Sequence, residues 1–136
     1  MKPCVLYVSH TGNTKRLAEA ISDLLKASLI NVATASPSDV AEYYLLVIGT
    51  PIIGLKPAPE LLTFVDSLPM AEGKRVVLFC TYAIAKGGAL KVLEEKLGKK
   101  GYHTILCVGK RGVKPGKTDF KDVLLEIEKA IKNSAF

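Results

Sequence analysis

Val5-Leu6-Tyr7-Val8-Ser9-His10-Thr11-Gly12-Asn13-Thr14-Lys15-Arg16-Leu17-Ala18 decides how the rest of the chain is read. Its first half is apolar and β-prone, the pattern of a buried strand. Its second half places leucine and alanine at helical spacing. Between them lies a run rich in hydroxyls, with Gly12 and Asn13 at the bend. A strand–turn–helix aims backbone N–H groups and the positive end of the helix dipole at one point. That point suits an anion, most often a phosphate. Ser9, Thr11 and Thr14 would add neutral donors, and Gly12 would let the backbone approach closely. The competing reading is a plain turn in which Asn13 or Thr14 caps the helix.

The 136 residues suffice for one domain with a real core, spanning residues 1–136. Apolar residues make up 49% and charged ones 24%, which excludes a disordered chain. No stretch approaches the ~20 apolar residues of a membrane span. The start of the chain lacks the apolar core of a signal peptide, so a cytoplasmic protein is expected. Cys4, Cys80 and Cys107 lack metal or disulfide spacing, and each sits in an apolar run. All three are expected to be buried, inert thiols.

Working outward, strands are expected over residues 3–8, 29–33, 44–48, 75–80 and 103–108. Helices are expected over 13–27, 59–68, 89–99 and 118–132, with a single turn near Ser38 and Asp39. The first helix would bury Leu17, Ile21, Leu24 and Leu25. The alternation of strand and helix calls for a parallel sheet covered on both faces, since crossovers are right-handed. The fold class is therefore α/β. It is a three-layer α/β/α, doubly wound, five-stranded parallel sheet of order 2-1-3-4-5, whose ligand crevice lies beyond the strand C-termini.

In that order the loops after the first, third and fourth strands converge. The first is the phosphate candidate: Ser9, His10, Thr11, Gly12, Asn13 and Thr14. The second, expected as a long proline-stiffened loop, offers Thr50, Pro51, Ile52, Ile53 and Gly54. The third offers Thr81, Tyr82, Ala83, Gly87 and Gly88. The last two loops carry little charge, apolar bulk and one aromatic. A flat ring system with amide edges would fit between them, stacked on Tyr82. Phosphate plus a flat heteroaromatic describes a nucleotide-like cofactor, and flavin mononucleotide (FMN) fits best.

These residues carry a resemblance. Val5-Leu6-Tyr7, Ser9, Gly12, Thr14, Ala18 and Ile21 match the spacing of the flavodoxin signature. Gly49-Thr50-Pro51 with Gly54 resembles the second flavin loop of that family, and Cys80-Thr81-Tyr82 the third. The resemblance spans essentially the whole chain. It implies a flavodoxin-like fold, noncovalent FMN and electron transfer. It also implies that residues 9–14 hold the phosphate, 50–55 one side of the ring and 81–88 the other. Gly54 would let a peptide turn its C=O toward the ring edge. Two departures stand out. Ile52 and Ile53 occupy the second loop where many flavodoxins carry an aromatic residue. The formal charge is +6, where flavodoxins are usually acidic.

Other chemistries on this strand order fail on residues. A phosphorelay receiver needs acids after the first and third strands, and Ser9-His10 and Gly49-Thr50 stand there. A low-molecular-weight tyrosine phosphatase needs cysteine and arginine where Ser9 and Lys15 stand. His10 is either a phosphate donor or a half-exposed loop histidine, and His103 a solvated one. An electron carrier is the first expectation, and an FMN-dependent quinone or flavin reductase the alternative. No dinucleotide fingerprint is visible. A flavin-free, partner-binding module is the weakest reading. The excess charge clusters at Lys96, Lys99, Lys100, Lys110, Arg111, Lys114, Lys117 and Lys121. Without aromatic interleaving it argues against nucleic acid. Lys110, Arg111, Lys114 and Lys117, in a loop expected over 109–117, would dock an acidic redox partner.

Overall fold

The apolar runs become strands because each is covered on both faces and alternates between two cores. A computed structural model describes residues 2–10, 12–112 and 119–134. In chain order, β1 (Lys2–Tyr7), α1 (Asn13–Leu25), β2 (Ser28–Asn31) and β3 (Tyr43–Ile53) come first. They are followed by β4 (Lys56–Pro57), α2 (Pro59–Asp66), β5 (Lys74–Tyr82), α3 (Ala89–Lys99), β6 (Tyr102–Arg111) and α4 (Lys121–Ser134). The sheet order is β2-β1-β3-β5-β6, with every neighbouring pair parallel. This is the doubly wound order expected from the alternation. The short β4 is an addition, pairing antiparallel with the end of β3.

Successive side chains of a strand point to opposite faces. Leu6, Ile48, Leu78 and Cys80 join one core with Leu61, Val65, Leu93 and Leu97 of α2 and α3. Val5, Val47, Val77 and Phe79 join the other with Leu17, Ile21, Val123 and Ile127 of α1 and α4. Gly49 lies opposite Phe79 in the register, and a β-carbon there would stand 2.0 Å from the Phe79 ring. Glycine is required so that the ring can cross the neighbouring strand.

Several expectations are corrected. β2 ends at Asn31, where the side chain accepts from the Ala33 N–H and starts a 3-10 turn. The turn Pro37–Val40 is capped by Ser36, whose N–H is in turn held by the Asp39 carboxylate. The long second loop is a strand and hairpin. β3 runs on through Ile53 and returns as β4, pairing Ile52 with Pro57 and Ile53 with Lys56. Pro51 masked this in the sequence. β1 stops opposite Gly49, and a proline is tolerated on the open edge beyond. β6 likewise runs to Arg111, so Gly109 and Lys110 are strand, not loop. Leu24 is exposed, in a shallow groove with Leu124 and Leu125. Cys107 is exposed because β6 is an edge strand. Thr11, Lys114, Lys117 and Thr118 lie outside the described residues.

Candidate functional site

The centre of the sheet places the carboxyl ends of β1, β3 and β5 side by side, with β6 next to β5. α1 starts directly after the first of these ends. Gly12 is its N-cap, with φ 97° and ψ −16°, a left-handed conformation that glycine adopts without strain. Ser9 Oγ accepts from the N–H of Gly12 at 3.1 Å and of Lys15 at 3.3 Å. The N–H groups of Asn13 and Thr14 have no partner among the described residues, and the first turn holds no acid. The result is a helix N-terminus whose remaining N–H groups suit an anion, with no acidic residue in its first turn.

Hydrogen bonds tie this cradle to the neighbouring loops. Thr14 Oγ1 and Thr81 Oγ1 are 2.7 Å apart, both side chains buried. Asn13 Nδ2 donates to the Gly112 carbonyl at 2.8 Å, and the Gly112 N–H to the Tyr82 carbonyl at 2.9 Å. Arg111 Nε donates to the Ala83 carbonyl at 2.9 Å. The end of β6 is therefore a fourth wall of the site, which the sequence reading missed. The side-chain Oδ1 of Asn13 is buried without a partner among the described residues. His10 turns away from the cradle, its Nε2 lying 2.7 Å from the Glu60 carboxylate at the start of α2. A hydrogen bond to the Glu60 backbone, and then His10, hold that carboxyl below its ordinary range.

The ring-side loops are built differently. Thr50 is fully buried, and its hydroxyl accepts from the Ala58 N–H and donates to the Pro51 carbonyl, each at 2.9 Å. Its side chain fixes the hairpin to α2 rather than facing a ligand. Ile52 packs against the core, while Ile53 points out. Gly54 (φ 57°) and Leu55 (φ 66°) form a two-residue turn with both residues left-handed, the pattern of a tight β-hairpin. Across the gap, Tyr82 is half-buried against the core. Ala83, Gly87 and Gly88 are exposed, and Gly88 caps α3. Leu55 reaches this loop, for a β-carbon on Gly87 would meet the Leu55 Cβ at 3.0 Å.

The thiols take no part in this arrangement. Burial pushes Cys80 up to about 11 and Cys4 up to about 12, so both stay protonated near neutral pH. No group of three or more His, Cys, Asp or Glu among the described residues could hold a metal ion. No described helix is long and apolar enough to cross a membrane. A cavity of about 700 Å³ opens at the other end of the sheet, lined by Ala41, Tyr44, Pro69, Lys74, Arg75 and Tyr102. Its cations are spent: Arg75 donates to Ser134 and covers the Tyr44 ring, and Lys74 donates to the Val40 carbonyl.

A flavodoxin domain profile matches residues 4–119. An uncharacterized protein of Methanocaldococcus jannaschii is 31% identical over 108 residues, covering 77% of this chain and 71% of the relative. The flavodoxin of Megasphaera elsdenii is 30% identical over 91 residues, covering 61% of this chain and 66% of that one. Among solved structures, a flavodoxin from the domain Archaea superposes with TM-score 0.77 at 26% identity. It covers 99% of this chain and all of its own (100%). Oxidised flavodoxin 1 of Bacillus cereus superposes with TM-score 0.82 at 22% identity, with 99% and 100% covered, and supports the fold alone. The chain belongs to the flavodoxin family.

Proposed function

We propose that this protein carries electrons through a noncovalently bound FMN. The observation that supports this best is the start of α1. It presents backbone N–H groups and buried hydroxyls, with no carboxylate in its first turn, between the strand ends of a flavodoxin-family chain. Such a cradle fits a phosphate without a metal or a cationic side chain. The N–H groups of Gly12, Asn13 and Thr14 would hold it, and Ser9 Oγ would turn from acceptor to donor. The hairpin tip and residues 82–88 would flank the ring, with Tyr82 as the aromatic contact.

FMN, when bound, supplies the redox chemistry. The chain supplies orientation and limits access of water. Gly54 sits in the one turn of the second loop where a peptide can rotate without a β-carbon in the way. Its carbonyl could then present an acceptor to a proton at the ring edge. The Thr14–Thr81 pair keeps the phosphate loop and the third loop at a fixed separation. A carrier that works between soluble partners in the cytoplasm accords with this reading.

The test is the purified protein itself. A yellow solution that releases FMN on heating is expected, with no turnover of NAD(P)H and quinones in the absence of a separate reductase. A colourless protein whose apo form takes up no FMN would refute the proposal. Turnover with NAD(P)H alone would favour an FMN-dependent oxidoreductase instead.

A further inference from the structure

On their outer side, α1 and α4 leave an apolar groove of about 290 Å³, lined by Leu24, Lys121, Leu124, Leu125 and Glu128. Leu24 is 38% exposed and Leu125 59%. A helix brings residues three, four and seven apart onto one face. Lys121, Leu124, Leu125 and Glu128 keep that spacing. α4 therefore presents one stripe, with a cation at one end, an anion at the other and two leucines between. Lys121 stands three residues before Leu124, and Glu128 three residues after Leu125. A two-fold axis set across α4 between the two leucines lays Lys121 against Glu128 of a second copy, and leucine against leucine. Within one chain about 10 Å of helix separates the two charges, too far for them to pair. Neither side chain belongs to an ion pair among the described residues. Asp122, beside Lys121, is already held by Lys110 at 3.1 Å. Val123 and Ile127 are buried in the core beneath the stripe, and the Arg16 guanidinium covers the Phe120 ring at 5.4 Å. The stripe thus stands on a helix fixed to α1.

We infer that this chain associates with a second copy of itself through the α1–α4 groove, the two α4 helices lying antiparallel about a two-fold axis between Leu124 and Leu125. A two-fold contact uses the same patch twice and must be complementary to itself. A stripe of one charge sign would repel its copy, whereas a cation and an anion equally far from the centre attract theirs. Covering Leu125 and the open side of Leu24 supplies the apolar gain, and the charge pairs mainly fix orientation and register. The face is short, so the contact belongs at the small end of specific interfaces and is reversible. α4 runs counter to the parallel strands, so antiparallel α4 helices turn the two sheets end for end. The two candidate sites then lie at opposite ends of the pair. The inference does not depend on the electron-carrier reading.

The test is sedimentation velocity of the full chain as purified, in physiological salt and up to about 0.5 mM protein, where a contact this small should form. The weight-average mass is expected to rise with concentration toward that of a dimer. Leu125→Glu should abolish the rise. Lys121→Glu and Glu128→Lys should each weaken association about ten-fold or more, because the symmetry sets like charges together twice. The double variant Lys121→Glu/Glu128→Lys should restore it. An equimolar mixture of the two single variants should restore it too, since opposite charges meet again at both ends. Lys121 and Leu125 are exposed and Glu128 half-buried, so the variants should keep the fold, which circular dichroism checks. A protein that stays monomeric over the whole range would overturn the inference and leave the face to some other partner. Association that Leu125→Glu leaves intact, or that neither the double variant nor the mixture restores, would overturn it as well. FMN binding is read separately, so its failure would refute the carrier reading and leave this result standing.

Discussion

The phosphate cradle and the ring-side rim lie on the same end of the sheet, but they are made from opposite materials. Asn13, Thr14 and Thr81 are buried and joined by hydrogen bonds to neighbouring loops. Ile53, Leu55 and Ile84 are exposed, and what holds them is backbone shape and one loop contact. Buried polar groups are costly to leave unpaired, so the cradle is over-determined and tolerates little change. Exposed apolar groups cost the fold almost nothing to replace. Affinity for a ligand should therefore reside in the cradle, and exchange with the outside should reside in the rim.

The largest expected effect concerns the floor beneath both regions. Cys80 is raised to about 11 and Cys4 to about 12 by burial. The sign follows from linkage. The unfolded thiols ionise near pH 9, while the folded ones stay neutral, so stability present below pH 9 is lost as pH rises toward 11 and 12. The loss should be about 2–3 kcal/mol for Cys80 alone, read as a falling urea midpoint that Cys80→Ala flattens. Exposed Cys107 should react with a thiol reagent in the native protein, while Cys4 and Cys80 should not.

Next comes the cradle. Thr14→Val leaves the buried Thr81 hydroxyl without its partner and should cost about 1–3 kcal/mol, with weaker FMN binding. Thr14→Val/Thr81→Val should recover much of the stability but not the FMN affinity. Denaturant titration and flavin fluorescence separate the two outcomes. If the double variant recovered both, the hydroxyls would be structural only.

The rim should respond in the other direction. Leu55→Asn places a residue that tolerates φ 66° in the turn, and should stabilise the apoprotein by about 1 kcal/mol. The smallest effect is at the edge between the regions. The Glu60 carboxyl is held low in the fold, so its contribution is present above its unfolded value and lost as pH falls through the folded one. Both partners are well exposed, so Glu60→Gln should change a thermal midpoint only slightly, and only above that acidic window.

The sheet order, both cores and the start of α1 were legible because they rest on local apolar pattern and on one glycine at a bend. Leu61, Leu93 and Ile127 face inward as their spacing required. The hairpin was not legible, because Pro51 and Pro57 read as breakers. Pro51 is tolerated because β1 ends opposite Gly49, and Pro57 because it ends the two-residue β4, both of which are tertiary facts. Thr50 looked like a ligand group, but its hydroxyl is bonded to the Ala58 N–H and the Pro51 carbonyl, and only the hairpin brings Ala58 back to it. The partners of His10 and Asn13 lie 50 and 99 residues away, beyond any spacing rule.

The most direct measurement is the binding of FMN and of riboflavin to the same apoprotein, followed by quenching of flavin fluorescence. The two ligands differ only in the phosphate that the start of α1 is held to grip. The account predicts FMN tighter by about 100-fold or more, the worth of one or two charge-assisted hydrogen bonds. Equal affinities, or no binding of either, would contradict it.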